Sequence, residues 1–187
     1  MVLGGTGFGE ANRYVTIFTR DFGMINVRVQ GIRTVQSKFR LHLEDYAISY
    51  IGFVRGREAL HLTNALKVCN IDTNLAGKPV ARRLAAQLLS LLKRLAPPDE
   101  PHPAVYDEVR NVFEHFFTTT GNTREMRTIE HICVARILHA FGYFSSEEPL
   151  SELFREEPMS PPTLVFAEER QKEIRNEINR SLRLTHL

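Results

Sequence analysis

The chain has only two cysteines, Cys69 and Cys133, in 187 residues. Two thiols build neither a disulfide framework nor a four-cysteine metal knuckle. Long apolar runs are missing as well. The longest, Leu84 to Leu92, is interrupted by Gln87 and Ser90 and falls far short of the roughly 20 residues that a membrane span needs. No basic stretch followed by an apolar segment opens the chain, so secretion by a signal peptide is not expected. A large excess of one charge is also lacking, with 24 Lys+Arg against 22 Asp+Glu and a net of +2. The remaining composition, 43% hydrophobic and 25% charged, is that of a globular chain able to bury one good core or two small ones. The expectation is a soluble, cytoplasmic protein with no membrane association.

The near-neutral total hides an uneven distribution. Residues 1–70 carry nine Lys/Arg and five Asp/Glu, a net of +4, whereas residues 147–187 carry six and nine, a net of −3. Arg13, Arg20, Arg28, Arg33, Lys38 and Arg40 share their 28-residue stretch with a single acid, Asp21. Positive charge gathered on one part of a chain is the electrostatic footprint of a polyanion binder. The alternative is a solvated basic face with no partner.

Up to about residue 70 the sequence reads as strands and turns. Asn12 to Thr19 is rich in β-branched and aromatic residues. Arg20 to Gly23 is a turn, with Gly23 suited to positive φ. From Met24 to Gln30 the residues alternate: Ile25, Val27 and Val29 point one way, Asn26, Arg28 and Gln30 the other. This row predicts Arg28 on an exposed sheet face. Gly31 to Arg40 reads as a basic loop, and Tyr46–Val54 with Ala59–Val68 as a hairpin. Four or five short strands suffice for a small closed or nearly closed barrel. Beyond residue 75 the period becomes helical. Pro79–Leu95 carries a wide apolar face and a proline suited to the first turn. Four prolines between Pro97 and Pro103 break it. Ala104–Phe117 places Val105, Val109, Val112, Phe113 and Phe116 on one stripe, and a helix capped at Asn122 or Thr123 runs to about Tyr143. Pro149–Phe154 reads as a single turn, and Pro162–Leu184 as one helix with Leu164, Ala167, Gln171, Ile174, Ile178 and Leu182 on its core side. The fold class is α+β: a β domain over residues 1–70, then an all-α domain over 71–187.

Several apparent motifs carry no chemistry. Gly4 to Gly9 lacks the G-x-G-x-x-G spacing and a preceding strand, so a plain flexible turn is the expectation. Asp21-Phe22-Gly23 stands without the other kinase signatures. His131 and Cys133 are two apart on a helix and diverge by about 200°. With His139 they assemble no tetrahedral site, so a buried Cys133 and surface histidines are expected. No nucleophile elbow or isolated acid pair is present, and nothing argues for an enzyme.

The run Gly9-Glu10-Ala11-Asn12-Arg13 through Phe18-Thr19 and Gly23 resembles the opening of the RecO family of bacterial recombination mediators. So does the loop from Gln30-Gly31-Ile32-Arg33 to Ser37-Lys38. The strand pair around Tyr50–Arg57 and Leu60–Ala65 and the later Leu138–Tyr143 are similar to the family too. Two departures stand out. The family's four-cysteine zinc module has no counterpart here, so neither zinc nor any other cofactor is carried over. Gln30 replaces the usual Lys. The chain also opens at what reads as the second half of the first strand. The resemblance implies an N-terminal OB-fold β-barrel that binds single- and double-stranded DNA, followed by a helical domain. It implies annealing of complementary strands, replacement of single-strand-binding protein by RecA together with RecR, and capture of the C-terminal tail of single-strand-binding protein.

The candidate DNA-binding residues are Arg13, Arg28, Arg33, Lys38, Arg40, Arg55 and Arg57, as cations for phosphates. Tyr14 and Phe39 are either stacking platforms or core residues. Arg13 has the alternative of bridging to Glu10 or Asp21. For the acidic tail, Arg124, Arg127 and Arg136 share a predicted helix, with ordinary solvation as the preferred account. Two other functions fit the same sequence: a generic RNA or single-strand-binding OB module, and a protein-binding scaffold that has lost DNA binding.

Overall fold

A computed structural model describes the chain except residues 9, 11, 33–36, 58–59, 120–121, 146–148, 156, 158 and 186–187, together with the side chain of residue 8. The described chain divides into two units. The first comprises residues 1–76 and 97–103, and the second residues 77–96 and 104–187.

The first unit is built on five strands: β1 (Val2–Phe8), β2 (Asn12–Thr19), β3 (Gly23–Val29), β4 (Ala47–Arg55) and β5 (Leu60–Asn70). Their order is β1-β2-β3-β5-β4, with only β3 and β5 parallel. The Tyr46 N–H donates to Val2 O at 2.9 Å, tying the start of β4 back to β1. This is the OB-fold arrangement, a closed barrel in which alternate side chains fill the interior. Val15 and Ile17 of β2, Ile25, Val27 and Val29 of β3, and Ala47 and Ala65 are buried together there, with Leu60 and Leu62 packed against them.

Three expectations need correction here. The glycine-rich Gly4–Gly7 stretch is not a flexible turn but the body of β1, paired with Arg13 to Thr16. Glycine permits the approach: a Cβ on Gly5 would lie 2.2 Å from Tyr14 O. Arg28 is half-buried rather than on an open face, because Tyr14 of β2 and His61 of β5 stand directly beside it. The proline-rich segment 97–103 does more than end a helix, since it lies along the barrel as a strap. Pro98 bridges Met24, and the Asp99 N–H donates to Met24 O at 3.0 Å.

After α1 (Ile71–Asn74), the second unit contains α2 (Pro79–Leu95), α3 (Pro103–Thr118, of which Pro103 belongs to the strap), α4 (Thr123–Ala140), a 3-10 turn (Leu150–Phe154), α5 (Pro161–Glu169) and α6 (Gln171–Leu184). α4 is central and contributes Ile129, Ile132, Cys133, Ile137 and Leu138 to the core. It begins with Asn122 Oδ1 accepting from Arg124 N at 2.9 Å. It stops at Ala140 because the Tyr143 N–H turns back to Leu138 O at 2.8 Å, a closure that satisfies carbonyls of the last turn. The single C-terminal helix expected from periodicity is two. The chain kinks at Arg170 (φ −107, ψ 21), while the Phe166–Arg170 and Arg170–Ile174 backbone bonds persist. The buried positions are Thr163, Ala167, Ile174, Ile178 and Ser181, so Leu164 and Leu182 sit half-buried beside the stripe. No described helix is long and apolar enough to cross a membrane.

Candidate nucleic-acid interface

The candidate cations of the barrel unit fall into two places. Arg13 follows the inward parity of β2, and its guanidinium reaches the end of the barrel. There it donates to Asp45 Oδ1 at 2.6 Å and to Gly5 O at 3.3 Å. Its acidic partner is therefore Asp45, 32 residues away, rather than Glu10 or Asp21. Arg13 and Arg40 line a cavity of about 380 Å³ with Ile32, Leu43, Glu44 and Asp45. Arg40 is exposed. Lys38 is exposed too and lies 5.0 Å over the Phe39 ring, while Phe39 packs on the core. Arg33 falls outside the described residues.

The second place is the outer face of β2 and β3. Tyr14, 37% exposed, is the cross-strand partner of Arg28, and Thr16 that of Asn26. Thr16 Oγ1 donates to Asn26 Oδ1 at 2.8 Å. Two residues along β3 from Arg28, Asn26 enters a cleft of about 340 Å³ lined also by Met24, Arg55, Gly56, Arg57, Leu60, Pro98 and Asp99. Arg55 and Arg57 are both exposed, and neither makes a side-chain ion pair with another described residue. The face thus runs from an aromatic ring and a half-buried guanidinium to two open guanidiniums. In OB-folds this strand face and the β4–β5 loop are where oligonucleotides are held. Sequence reading identified Asn26 as outward-facing but not as part of a site. Asp99 carried no local signal, because its contact with β3 spans most of the barrel sequence.

The second unit holds a separate charge cluster. Glu130 of α4 is pushed up to about 7, burial outweighing the guanidiniums of Arg83 on α2 and Arg127 on α4. His131 is pushed down, first by burial and then by Arg175 on α6 and Arg127. Three arginines from three helices therefore gather around residues 130 and 131. His131 Nδ1 is buried without a hydrogen-bond partner among the described residues. Arg136, by contrast, is committed inside the unit. Its side chain is 14% exposed, donates to Leu153 O at 2.7 Å and lies 3.5 Å from Glu108. Ordinary solvation is therefore not its role. Cys133 is fully buried, and burial pushes its thiol up. His131 and His139 are half-buried rather than on the surface, His139 Nδ1 lying 3.1 Å from Phe144 O. Among the described residues no group of three His, Cys, Asp or Glu side chains is arranged to hold a metal ion.

No protein-family model matches the chain. Among curated proteins, it is similar to the DNA repair protein RecO of Dehalococcoides mccartyi, at 23% identity over 164 residues. The match covers 79% of this chain and 64% of the relative, so the chain spans just under two thirds of that protein's length.

Proposed function

We propose that this chain is a member of the RecO family and acts in DNA repair and recombination as a strand-binding mediator without covalent chemistry. The observation that carries this reading is the outer face of the barrel. Tyr14 and Arg28 stand side by side there, and Asn26 leads on to the exposed Arg55 and Arg57. Guanidiniums neutralise phosphates and release counterions, and an exposed ring stacks on bases irrespective of sequence. Lys38 and Arg40 add two exposed cations on the loop that follows β3. Single- and double-stranded DNA are the substrates of this reading. Holding two strands against a cationic face screens their mutual repulsion and raises their local concentration, which favours annealing.

In the same reading, RecR and single-strand-binding protein are partners in loading RecA. The Arg83, Arg127 and Arg175 cluster suits the acidic, carboxylate-ended tail of single-strand-binding protein, because guanidiniums pair bidentately with carboxylates. A protein-binding scaffold is the second reading. It draws support from Arg13, whose charge Asp45 already engages.

The test is annealing of complementary strands coated with single-strand-binding protein, followed by quenching of paired fluorophores. The mediator reading expects acceleration by the chain that disappears at high salt. Strand binding without acceleration would leave a generic single-strand module. Binding of the tail peptide with no strand binding would leave the scaffold.

A further inference from the structure

The cleft beside Arg55 and Arg57 carries a feature that a bare phosphate site would not have. Asp99 lines it with the two arginines, yet its carboxylate makes no hydrogen bond or ion pair with another described residue. Asp99 is also held at φ 56, a conformation open to few residues other than glycine, asparagine and aspartate. The strap fixes it there through its own N–H on Met24 O at 3.0 Å. A carboxylate repels an anion, and two guanidiniums repel a metal cation. The ligand must therefore be anionic at one end and rich in N–H donors at the other. A nucleotide of a single strand has this pattern, and the cleft volume of about 340 Å³ lies within the range of about 300–1,000 Å³ for small-ligand sites.

We infer that this cleft is a nucleotide subsite that selects guanine. The flanking phosphates meet Arg55 and Arg57, and the base lies against the apolar wall of Met24, Leu60 and Pro98. The Watson–Crick edge faces Asp99 and Asn26. An ionised carboxylate only accepts, and guanine alone among the four bases offers two adjacent donors, N1–H and N2–H, on that edge. Adenine and cytosine place a ring acceptor beside their single amine, and thymine flanks its one N–H with two carbonyls. Each of these sets a lone pair against the carboxylate. Asn26 completes the match. Its Oδ1 accepts from Thr16, which leaves Nδ2 to donate to guanine O6.

The inference rests on the strand-binding reading, and the experiment separates the two. The intact chain is titrated against a labelled all-thymine strand, with unlabelled competitors of the same length carrying isolated guanines, cytosines or adenines. The guanine-bearing strand is expected to compete about tenfold better, the discrimination of one bidentate base contact. Asp99→Asn tolerates the positive φ and so keeps the strap in place. That variant is expected to lose the guanine preference while retaining salt-sensitive binding of the thymine strand. Equal competition by all three competitors in the intact chain, or a guanine preference that survives Asp99→Asn, overturns the subsite and leaves strand binding standing. Absence of binding to every strand overturns both.

Discussion

Gly23 shows how one residue positions the candidate interface. It sits at φ +68 at the start of β3, and a Cβ there would lie 1.9 Å from Glu100 O on the strap. Both the backbone conformation and the close approach require glycine. A side chain costs about 1–2 kcal/mol from the left-handed φ alone, before the clash is counted. Gly23→Ala is expected to lower the urea midpoint, with a loss of unfolding free energy larger than that φ cost, and to weaken strand binding, because the strap forms one wall of the cleft. An unchanged midpoint would mean that the strap does not lie on Gly23. The sequence made this glycine legible as a turn residue, since turn chemistry is local. It left the second requirement hidden, because the neighbour that enforces it is 77 residues downstream. The same distinction separates Asn26, whose outward direction follows from strand alternation, from Asp99, whose place depends on a non-local contact.

A second residue-scale prediction concerns the acids of the helical unit. Glu108 is pushed up to about 7, chiefly by burial, against the opposing pull of Arg136 and a Cys133 hydrogen bond. Glu130 stands at about 7 for a similar reason, with Arg83 and Arg127 opposing. Below the ordinary carboxyl value near 4.5 both groups are neutral whether the chain is folded or not. Between about 4.5 and about 7 the unfolded chain ionises while the folded one keeps its protons, so these groups make stability fall as pH rises through that window. The lowered His131 works the opposite way, which makes comparison with a variant the informative measurement. Glu108→Gln and Glu130→Gln are each expected to flatten the loss of stability from pH 5 to 7 relative to the parent chain, read from urea midpoints. An unaltered slope would show that the carboxyl is not protonated in the folded chain.

At the scale of elements, Lys78 joins two helices by their ends. It precedes α2, and its Nζ donates to Phe116 O, Phe117 O and Thr119 O at 3.2, 2.6 and 3.0 Å. The last carbonyls of α3 have no partners within the helix, and a cation there also meets the negative end of its dipole. Lys78→Met, which keeps the aliphatic stem, is expected to cost about 2 kcal/mol in denaturant unfolding; a loss near zero would contradict the cap. Elements with a clear local period were the most legible. β3 and α2 follow the alternation and the apolar stripe that predict them, and the stripe from Val105 to Phe116 is buried as expected. β1 was obscured because its glycines have no side chains to alternate. The kink at Arg170 was obscured because neither proline nor glycine marks it, and both flanking backbone bonds survive it.

At the scale of the whole molecule, the division into two units follows the change of period near residue 75, except for the strap, which belongs to the barrel although it lies between two helices in sequence. The basic character of the first 70 residues was readable as a charge balance. Its arrangement was not, because folding directs Arg13 to Asp45 at one end of the barrel and leaves Arg55 and Arg57 open beside the β2–β3 face. The most direct measurement is the salt dependence of single-strand binding by the intact chain and by Arg55→Ala/Arg57→Ala, followed by fluorescence anisotropy. Each phosphate contact contributes about 0.7 to the slope of log affinity against log salt. The intact chain is predicted to bind tightly at low salt with a steep slope, and the double variant to bind more weakly with a slope shallower by about 1.4. Identical slopes, or no binding by the intact chain at low salt, would contradict a phosphate-binding role for this face.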